Sequence, residues 1–461
     1  MSRQGRGRHP SGQCSPILYQ NAEHTVTLID IPTAIAVAQG RSDTLLSTPP
    51  LEAPMQSNQD HQRNLGIHKE HEAASGVQHA EYKALIEQAL CQIHLHVPGQ
   101  WCALRKVASQ DGHGESMEEK ERDLDSRLRQ WAKLNESKRD DVALDLQKMM
   151  ASLSEAGTTV SQGWSMSYRS ATSGAAQPWT GSFHNPEAVS LDMTVFKEGN
   201  NTPDVVPPSD AAYRFTIPPR STLFLSDSTH SDAFRAAFRE ATDEYTLPRH
   251  FDLVVLDPPW PNRSAKRKGA YEQIGGMPYV KRLLLKMDLD HYFEHNATVG
   301  IWITNKAALR EHVLGPGGLF EMWNVGLVEE WVWIKTTCRG EPMFAMDHGL
   351  RKPYELFLLG RAAPNAWTTM RHAPHIKRRV IAAVPDLHSR KPCLKALLEQ
   401  EGFMPDPSDY SALEVFARYL VAGWTSWGNE VLKYNWDRYW VVPGTSEMPL
   451  SNDHVLPIRL A

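Results

Sequence analysis

The sequence predicts an α/β protein whose main domain is a largely parallel sheet, and three observations carry that expectation. After Ala212, apolar β-rich runs recur: "TLFLS" (222–226), "DLVVL" (252–256), "TVGIWIT" (298–304), "LVEEWVWIKTT" (327–337), "YELFLLG" (354–360), "VIAAVP" (380–385) and "LEVFARYL" (413–420). Helical patterns at 279–293, 306–313 and 391–401 separate several of them. Runs that stay apolar along their length belong to strands buried on both faces, and alternation with helices supplies the crossovers that parallel strands need. The chain is also long enough: 461 residues, 41% hydrophobic and 22% charged, allow two or three folded units and a sizeable core.

Taken in order, residues 1–15 read as disordered. Residues 16–39, within "SPILYQNAEHTVTLIDIPTAIAVAQ", carry enough Ile, Leu, Val and Thr for a short hairpin and a helical turn, a docking arm. Residues 40–78 are poor in large apolar side chains and rich in Ser, Pro, Gln, Asn and His, the composition of a linker. A helical accessory module is expected over 79–156. Tyr82, Leu85, Ile86, Ala89, Leu90 and Ile93 form one stripe at helical spacing, and Leu124, Leu128, Trp131 and Leu134 begin another. Residues 157–212 show no clear period and read as an irregular connecting region. The main domain is expected over 213–445, followed by a tail over 446–461. Within it, 327–337 and 354–360 are close enough in sequence for an antiparallel edge hairpin.

Composition narrows the function. No apolar run approaches the roughly 20 residues that cross a bilayer. A net charge of −5 restricts any polyanion contact to a local patch. The five cysteines, Cys14, Cys91, Cys102, Cys338 and Cys393, form no CxxC pair, which fits a reducing compartment. "MSRQGRGRHPSGQ" is basic but has no apolar core, so secretion is not expected, and a transit peptide is the alternative. Cys91, His94, His96 and Cys102 match no standard zinc spacing, so no metal is expected. "KPCLKAL" lacks the second cysteine of a zinc deaminase, and "LGPGGLF" (314–320) reads as a turn.

The chemistry concentrates in "FDLVVLDPPWPNRSAKRKGAY" (251–271). An apolar strand ends on Asp257-Pro258-Pro259-Trp260, and ligands of open parallel sheets sit outside strand carboxyl ends. Asp257 offers two acceptor oxygens. Pro258 and Pro259 have no N–H and stiffen the turn, so their carbonyls serve as fixed acceptors. Trp260 offers a flat surface on which a base stacks for roughly 1–3 kcal/mol. Acceptors without donors suit an exocyclic amine: holding both hydrogens of an adenine amino group favours its pyramidal, nucleophilic form. Asn262, Arg263, Lys266, Arg267 and Lys268 follow at once, where they would hold phosphates beside the target nucleotide; the alternative is a solvated loop.

Around this block stand "LSD" (225–227), "NRSAKR" (262–267), "KPYELFLLGR" (352–361), "HSRKP" (388–392), "LEVFAR" (413–418) and "GWTSWGNEVLKY" (423–434). Together and in this order they resemble the adenine-N6 methyltransferases of the seventy-kilodalton mRNA methyltransferase family, over about residues 213–440. The resemblance implies a Rossmann-like S-adenosylmethionine-dependent methyltransferase fold of the permuted type, in which the catalytic strand precedes the last cofactor strand. It also implies duties: Asp257, Pro258, Pro259 and Trp260 catalytic; Asp227 and Asp257 at the cofactor; Lys352 paired with the cofactor carboxylate; Phe416, Arg418, Asn429 and Glu430 at its nucleoside end. Two positions depart from the mRNA-type enzymes, which carry Asn near Tyr419-Leu420 and Gln at Glu430. The implied partner is nucleic acid, single-stranded or with the adenosine flipped out. RNA is preferred, notably a 2′-O-methylated adenosine in U2 spliceosomal RNA, with DNA adenine as the alternative. A nuclear location follows from that substrate, with cytoplasm or mitochondrion open.

Plainer roles stay open at several of these positions. Asp227 also suits a helix N-cap, Lys352 a turn residue before Pro353, Phe416 the core, and Trp260 a buried ring at a strand end. Arg418, Asn429 and Glu430 also suit a tight turn. A catalytically silent RNA-binding subunit is the rival of another class. Degenerate members of the family lose the acid or the tryptophan, and this chain keeps both.

Overall fold

A computed structural model describes residues 15–55, 72–107, 117–143, 164–169, 177–197, 212–228, 231–261, 276–348, 352–387, 390–400 and 402–442. The chain begins with strands β1 (Ile17–Gln20) and β2 (Val26–Ile29), helix α1 (Ile31–Ala38) and β3 (Thr44–Leu45). Two long helices follow, α2 (Glu72–His96) and α3 (Met117–Ala143). Next come β4 (Trp164–Arg169), β5 (Gln177–Pro178), β6 (Ser182–His184), β7 (Leu191–Lys197) and β8 (Ala212–Ile217). The main domain contributes β9 (Thr222–Phe224), α4 (Ser231–Tyr245), β10 (Phe251–Leu256), α5 (Met277–Lys286), β11 (Phe293–Thr304), α6 (Ala307–Leu314) and α7 (Leu319–Met322). It continues through β12 (Val325–Lys335), β13 (Tyr354–Ala362), β14 (Lys377–Ala383), α8 (Lys395–Leu398), β15 (Ala412–Val415), β16 (Thr425–Trp427) and β17 (Trp440–Val441).

The described strands build an eleven-stranded sheet in the order β1-β2-β14-β12-β13-β11-β10-β15-β16-β9-β6. It is mixed and mostly parallel, with β9, β16, β15, β10 and β11 running side by side in one direction. Both faces are covered, as the apolar runs require. Along β10, Leu253 and Val255 enter one cluster while Phe251, Val254 and Leu256 enter the other. β15 follows β10 by more than 150 residues yet pairs with it, and β16 lies beyond β15, the permuted α/β arrangement the resemblance implies.

Several expectations change in detail. The hairpin placed at a sheet edge lies inside it, because β13 pairs antiparallel with β12 on one side and with β11 on the other. Apolar side chains on both faces are satisfied only there. The arm at 16–39 becomes part of the sheet: β2 pairs parallel with β14, and Asp30 caps α1 by accepting from the Thr33 N–H at 3.1 Å. Residues 40–55, expected in the linker, are tied down by partners from elsewhere. The Leu46 N–H donates to the Tyr439 carbonyl, and Leu51 accepts from the Cys338 N–H, each at 2.7 Å. A polar segment is thus ordered by docking, without a core of its own.

The two helices of the expected module part company. Tyr82, Ile86, Ala89, Leu90 and Ile93 of α2 join one cluster, and Leu124, Leu128 and Trp131 of α3 join the opposite one. The connecting region, where described, contributes β4, β5 and β7 to an antiparallel four-stranded sheet in the order β5-β4-β7-β8, which β8 of the main domain completes. The periodic stretch at 391–401 yields only the four-residue α8. No described helix is long and apolar enough to cross a membrane.

Candidate active site

The parallel strands bring their carboxyl ends to one edge. Leu256 pairs with Val415, Val415 with Trp427, and Trp427 with Phe224, so Asp257, Phe416, Gly428 and Leu225 emerge at one level. The ladder runs one step further, with the Asp257 N–H donating to the Val415 carbonyl at 3.3 Å. Phe416 takes a left-handed backbone (φ 64°), a conformation that costs a non-glycine residue about 1–3 kcal/mol and recurs at functional sites. Gly428 packs tightly beside it: a Cβ there would stand 3.0 Å from the Ala417 carbonyl oxygen and 3.1 Å from the Ala417 nitrogen, so the backbone would have to shift.

A cavity opens at this edge, walled by Asp257, Lys391, Glu414, Phe416, Arg418 and Trp302 among others. Asp257 is 26% exposed, and its Oδ1 accepts from Lys391 Nζ at 2.8 Å. No donor reaches Oδ2 among the described residues. Lys391 also pairs with Glu355 at 3.1 Å and lies 5.0 Å from the Trp302 ring centre. Burial opposes its charge, but Asp257 and Glu355 outweigh that and raise its pKa, so the ammonium is fixed. Glu355 is desolvated too, yet Lys335 and Lys391 hold its pKa down at about 2.

Glu414 is the opposite case. Burial first, and the Asp257 charge second, push its carboxyl up to about 8, and its buried Oε2 has no hydrogen-bond partner among the described residues. Arg390 closes the cavity behind Lys391. Only 2% exposed, it is paired with Asp386, donates to the Leu46 carbonyl at 2.9 Å and lies 4.3 Å from the Tyr434 ring centre. Its Nε and a terminal nitrogen find no hydrogen-bond partner among the described residues.

The catalytic block differs from expectation at two atoms. The Pro258 carbonyl is already engaged, accepting the Trp260 N–H at 2.8 Å, which leaves it one lone pair for a ligand. Trp260 is 9% exposed and donates its indole N–H to the Trp302 carbonyl at 2.7 Å. The ring braces the turn from within and is not the open stacking surface the sequence suggested, because its one polar atom finds a partner only by turning inward.

Of the residues expected at the cofactor, Asp257, Phe416 and Arg418 wall the cavity. Asp227 stands beyond β9 on the same edge, next to Ser226, whose Oγ accepts from the Trp427 indole at 2.8 Å. Asn429 is half-buried after Gly428. Glu430 is buried and engaged by two guanidinium groups, Arg418 at 3.3 Å and Arg129 of α3 at 3.6 Å. Lys352 falls elsewhere, in a second cavity with His79, Tyr82 and Lys306. The lysine at Asp257 is Lys391, which belongs to the "HSRKP" stretch. Its signal was an X-Pro stop beside a buried arginine, and only the folded edge shows that it faces the acid. Asn262, Arg263, Lys266, Arg267 and Lys268 lie outside the described residues.

Comparison with known proteins agrees on the region. The MT-A70 family model matches residues 251–430. The N6-methyladenosine RNA methyltransferase MTA1 of Cryphonectria parasitica is 39% identical over 224 residues, 48% of this chain and 62% of that protein. The N(6)-adenine-specific methyltransferase METTL4 of Homo sapiens is 32% identical over 234 residues, 50% of this chain and 45% of that one. The DNA N6-methyl methyltransferase of Caenorhabditis elegans is 30% identical over 231 residues, 50% and 56% respectively. The chain thus spans about half the length of the curated relatives it matches.

Proposed function

With an MT-A70 domain over residues 251–430 as the premise, we propose that the protein transfers a methyl group from S-adenosylmethionine to the N6 amino group of adenosine in RNA. One observation carries the reading. A stiff acceptor turn, Asp257-Pro258, stands at the tip of a central strand beside a cavity that holds a lysine and a carboxylate at 2.8 Å. The cavity's chemistry matches the cofactor's amino-acid end: Lys391 for the carboxylate, Asp257 for the ammonium, and Glu414 Oε2 and Arg390 with hydrogen-bonding capacity unspent. Phe416, Val255 and Leu398 supply apolar wall.

When bound, S-adenosylmethionine supplies an electrophilic methyl on a sulfonium. The residues of this chain do the rest. The remaining lone pair of the Pro258 carbonyl and Asp257 Oδ2 accept the two amino hydrogens of the adenine and orient the nitrogen. Lys391 keeps the Asp257 carboxylate from rotating, and Glu355, itself ionised, keeps Lys391 in place. As nitrogen gains a carbon it must shed a proton, and the half-exposed Asp257 passes it to water. With Pro258 and Asp257 taking both amino hydrogens, one of which a base pair would use, the adenine must be unpaired, so the substrate is single-stranded or flipped out.

Within RNA, a 2′-O-methylated adenosine of the U2 spliceosomal type is the substrate we would try first, and a nuclear location goes with it. DNA is the second reading, favoured by the relative named for DNA. The experiment incubates purified full-length chain and S-adenosylmethionine with matched oligonucleotides: RNA with and without 2′-O-methyladenosine, and DNA, each single-stranded and duplex. Mass spectrometry then reads N6-methyladenine. Transfer to single-stranded RNA above DNA is expected. Preference for DNA replaces the substrate, and no transfer to any of them, with poor cofactor binding, makes the protein a silent subunit.

A further inference from the structure

The second cavity shares no lining residue with the first, and nothing in the reaction as derived uses it. It lies between α2 and the ends of β11 and β13. Lys306, Arg310, Lys352 and His79 line it, and no carboxylate does among the described residues. Of the acids around it, Glu330 is engaged by Arg310, Arg378 and the Tyr82 hydroxyl, and Asp347 by Lys83 and, at 3.6 Å, by His79.

Lys352 makes no ion pair or side-chain hydrogen bond among the described residues, and burial, assisted by Lys83 and opposed by Asp347, lowers its pKa. The buried Thr304 Oγ1 on the same wall also lacks a partner. Helix α6 opens here without a side-chain cap, adding its positive end. The cavity touches the reaction site through Lys306, whose Nζ donates to the Pro261 carbonyl at 3.2 Å, one residue beyond Trp260.

We propose that this cavity seats a backbone phosphate of the substrate strand, held by Lys352 and Lys306, next to the nucleotide whose base enters the catalytic turn. The proposal rests on the nucleic-acid reading given above. It moves Lys352 from the cofactor carboxylate to the polynucleotide, and it runs the strand from the catalytic turn to this anchor. A phosphate also supplies an anion to Lys352, whose ammonium has no ion pair among the described residues.

The test is fluorescence anisotropy of a short labelled single-stranded RNA on full-length protein without cofactor, over a series of salt concentrations. Lys352→Gln and Lys306→Gln are expected to weaken binding roughly 5- to 10-fold and to lower the salt slope by about 1 each. Lys352→Arg should restore both. Affinity for S-adenosylhomocysteine should stay within about twofold of wild type. Unchanged RNA affinity and slope would overturn the proposal, as would a Lys352→Gln protein that loses cofactor and keeps RNA. Binding is read without turnover, so a protein that holds RNA through these lysines but methylates nothing sinks the proposed reaction and leaves the phosphate site standing.

Discussion

Two side chains face Asp257 in different charge states. Lys391, 2.8 Å away, stabilises the carboxylate, and Glu414, buried on the next strand, is kept protonated by burial and by that same negative charge. The pH consequence follows for Glu414. Its unfolded carboxyl ionises near 4.5 and its folded one near 8, so between those values only the folded chain holds the proton. Its contribution to stability is whole below the lower value and is lost as pH rises towards the upper one. Glu414→Gln should therefore show a melting temperature that falls less between pH 5 and 8 than wild type does; equal slopes would mean the group is not buried neutral. Lys391→Met removes the clamp on Asp257, and methyl transfer should drop about 100-fold with melting little changed, the scale of losing one preorganised polar contact. The sequence singled out Asp257 but not Lys391, since the acid is marked by its own prolines whereas the lysine acquires meaning from a strand 134 residues away.

Among elements, the tight crossing of the β15 and β16 ends governs the cavity wall. Gly428→Ala would drive a methyl onto the Ala417 backbone, which cannot yield as a side chain does. A loss of about 1–3 kcal/mol in urea unfolding is expected, with weaker cofactor binding; a variant as stable as wild type would show that the turn opens freely. Strands were readable because β-rich apolar runs such as 252–256 and 354–360 mark themselves. Their neighbours were not. β13 looks like an edge strand from its short connection to β12, and nothing local says that β11 covers its other side. The periodicity at 391–401 overstated a helix for the same reason: Arg390 and Lys391 are spent on Asp386 and Asp257, and α8 starts only at Lys395.

Across the molecule, segments that look dispensable in sequence brace the site. Leu46 supports Arg390, and Gln39 accepts from Asn435, which in turn holds the Leu420 N–H at 2.8 Å. α3 grips the loop after Asn429 from outside, with Lys433 bonded to Glu121 and Asp125 at 2.9 and 2.8 Å and Arg129 reaching Glu430. Lys433→Ala should free α3, seen as faster hydrogen exchange over 117–143 and several-fold weaker cofactor binding; unchanged exchange would make the bridge ornamental. All of this converges on the acceptor turn at the tip of β10, and Asp257→Asn probes it most directly because it keeps shape and alters charge and acceptor number at one group. Single-turnover methyl transfer at saturating cofactor and RNA should fall at least about 100-fold while circular dichroism and melting stay near wild type. Wild-type transfer by that variant would contradict the account.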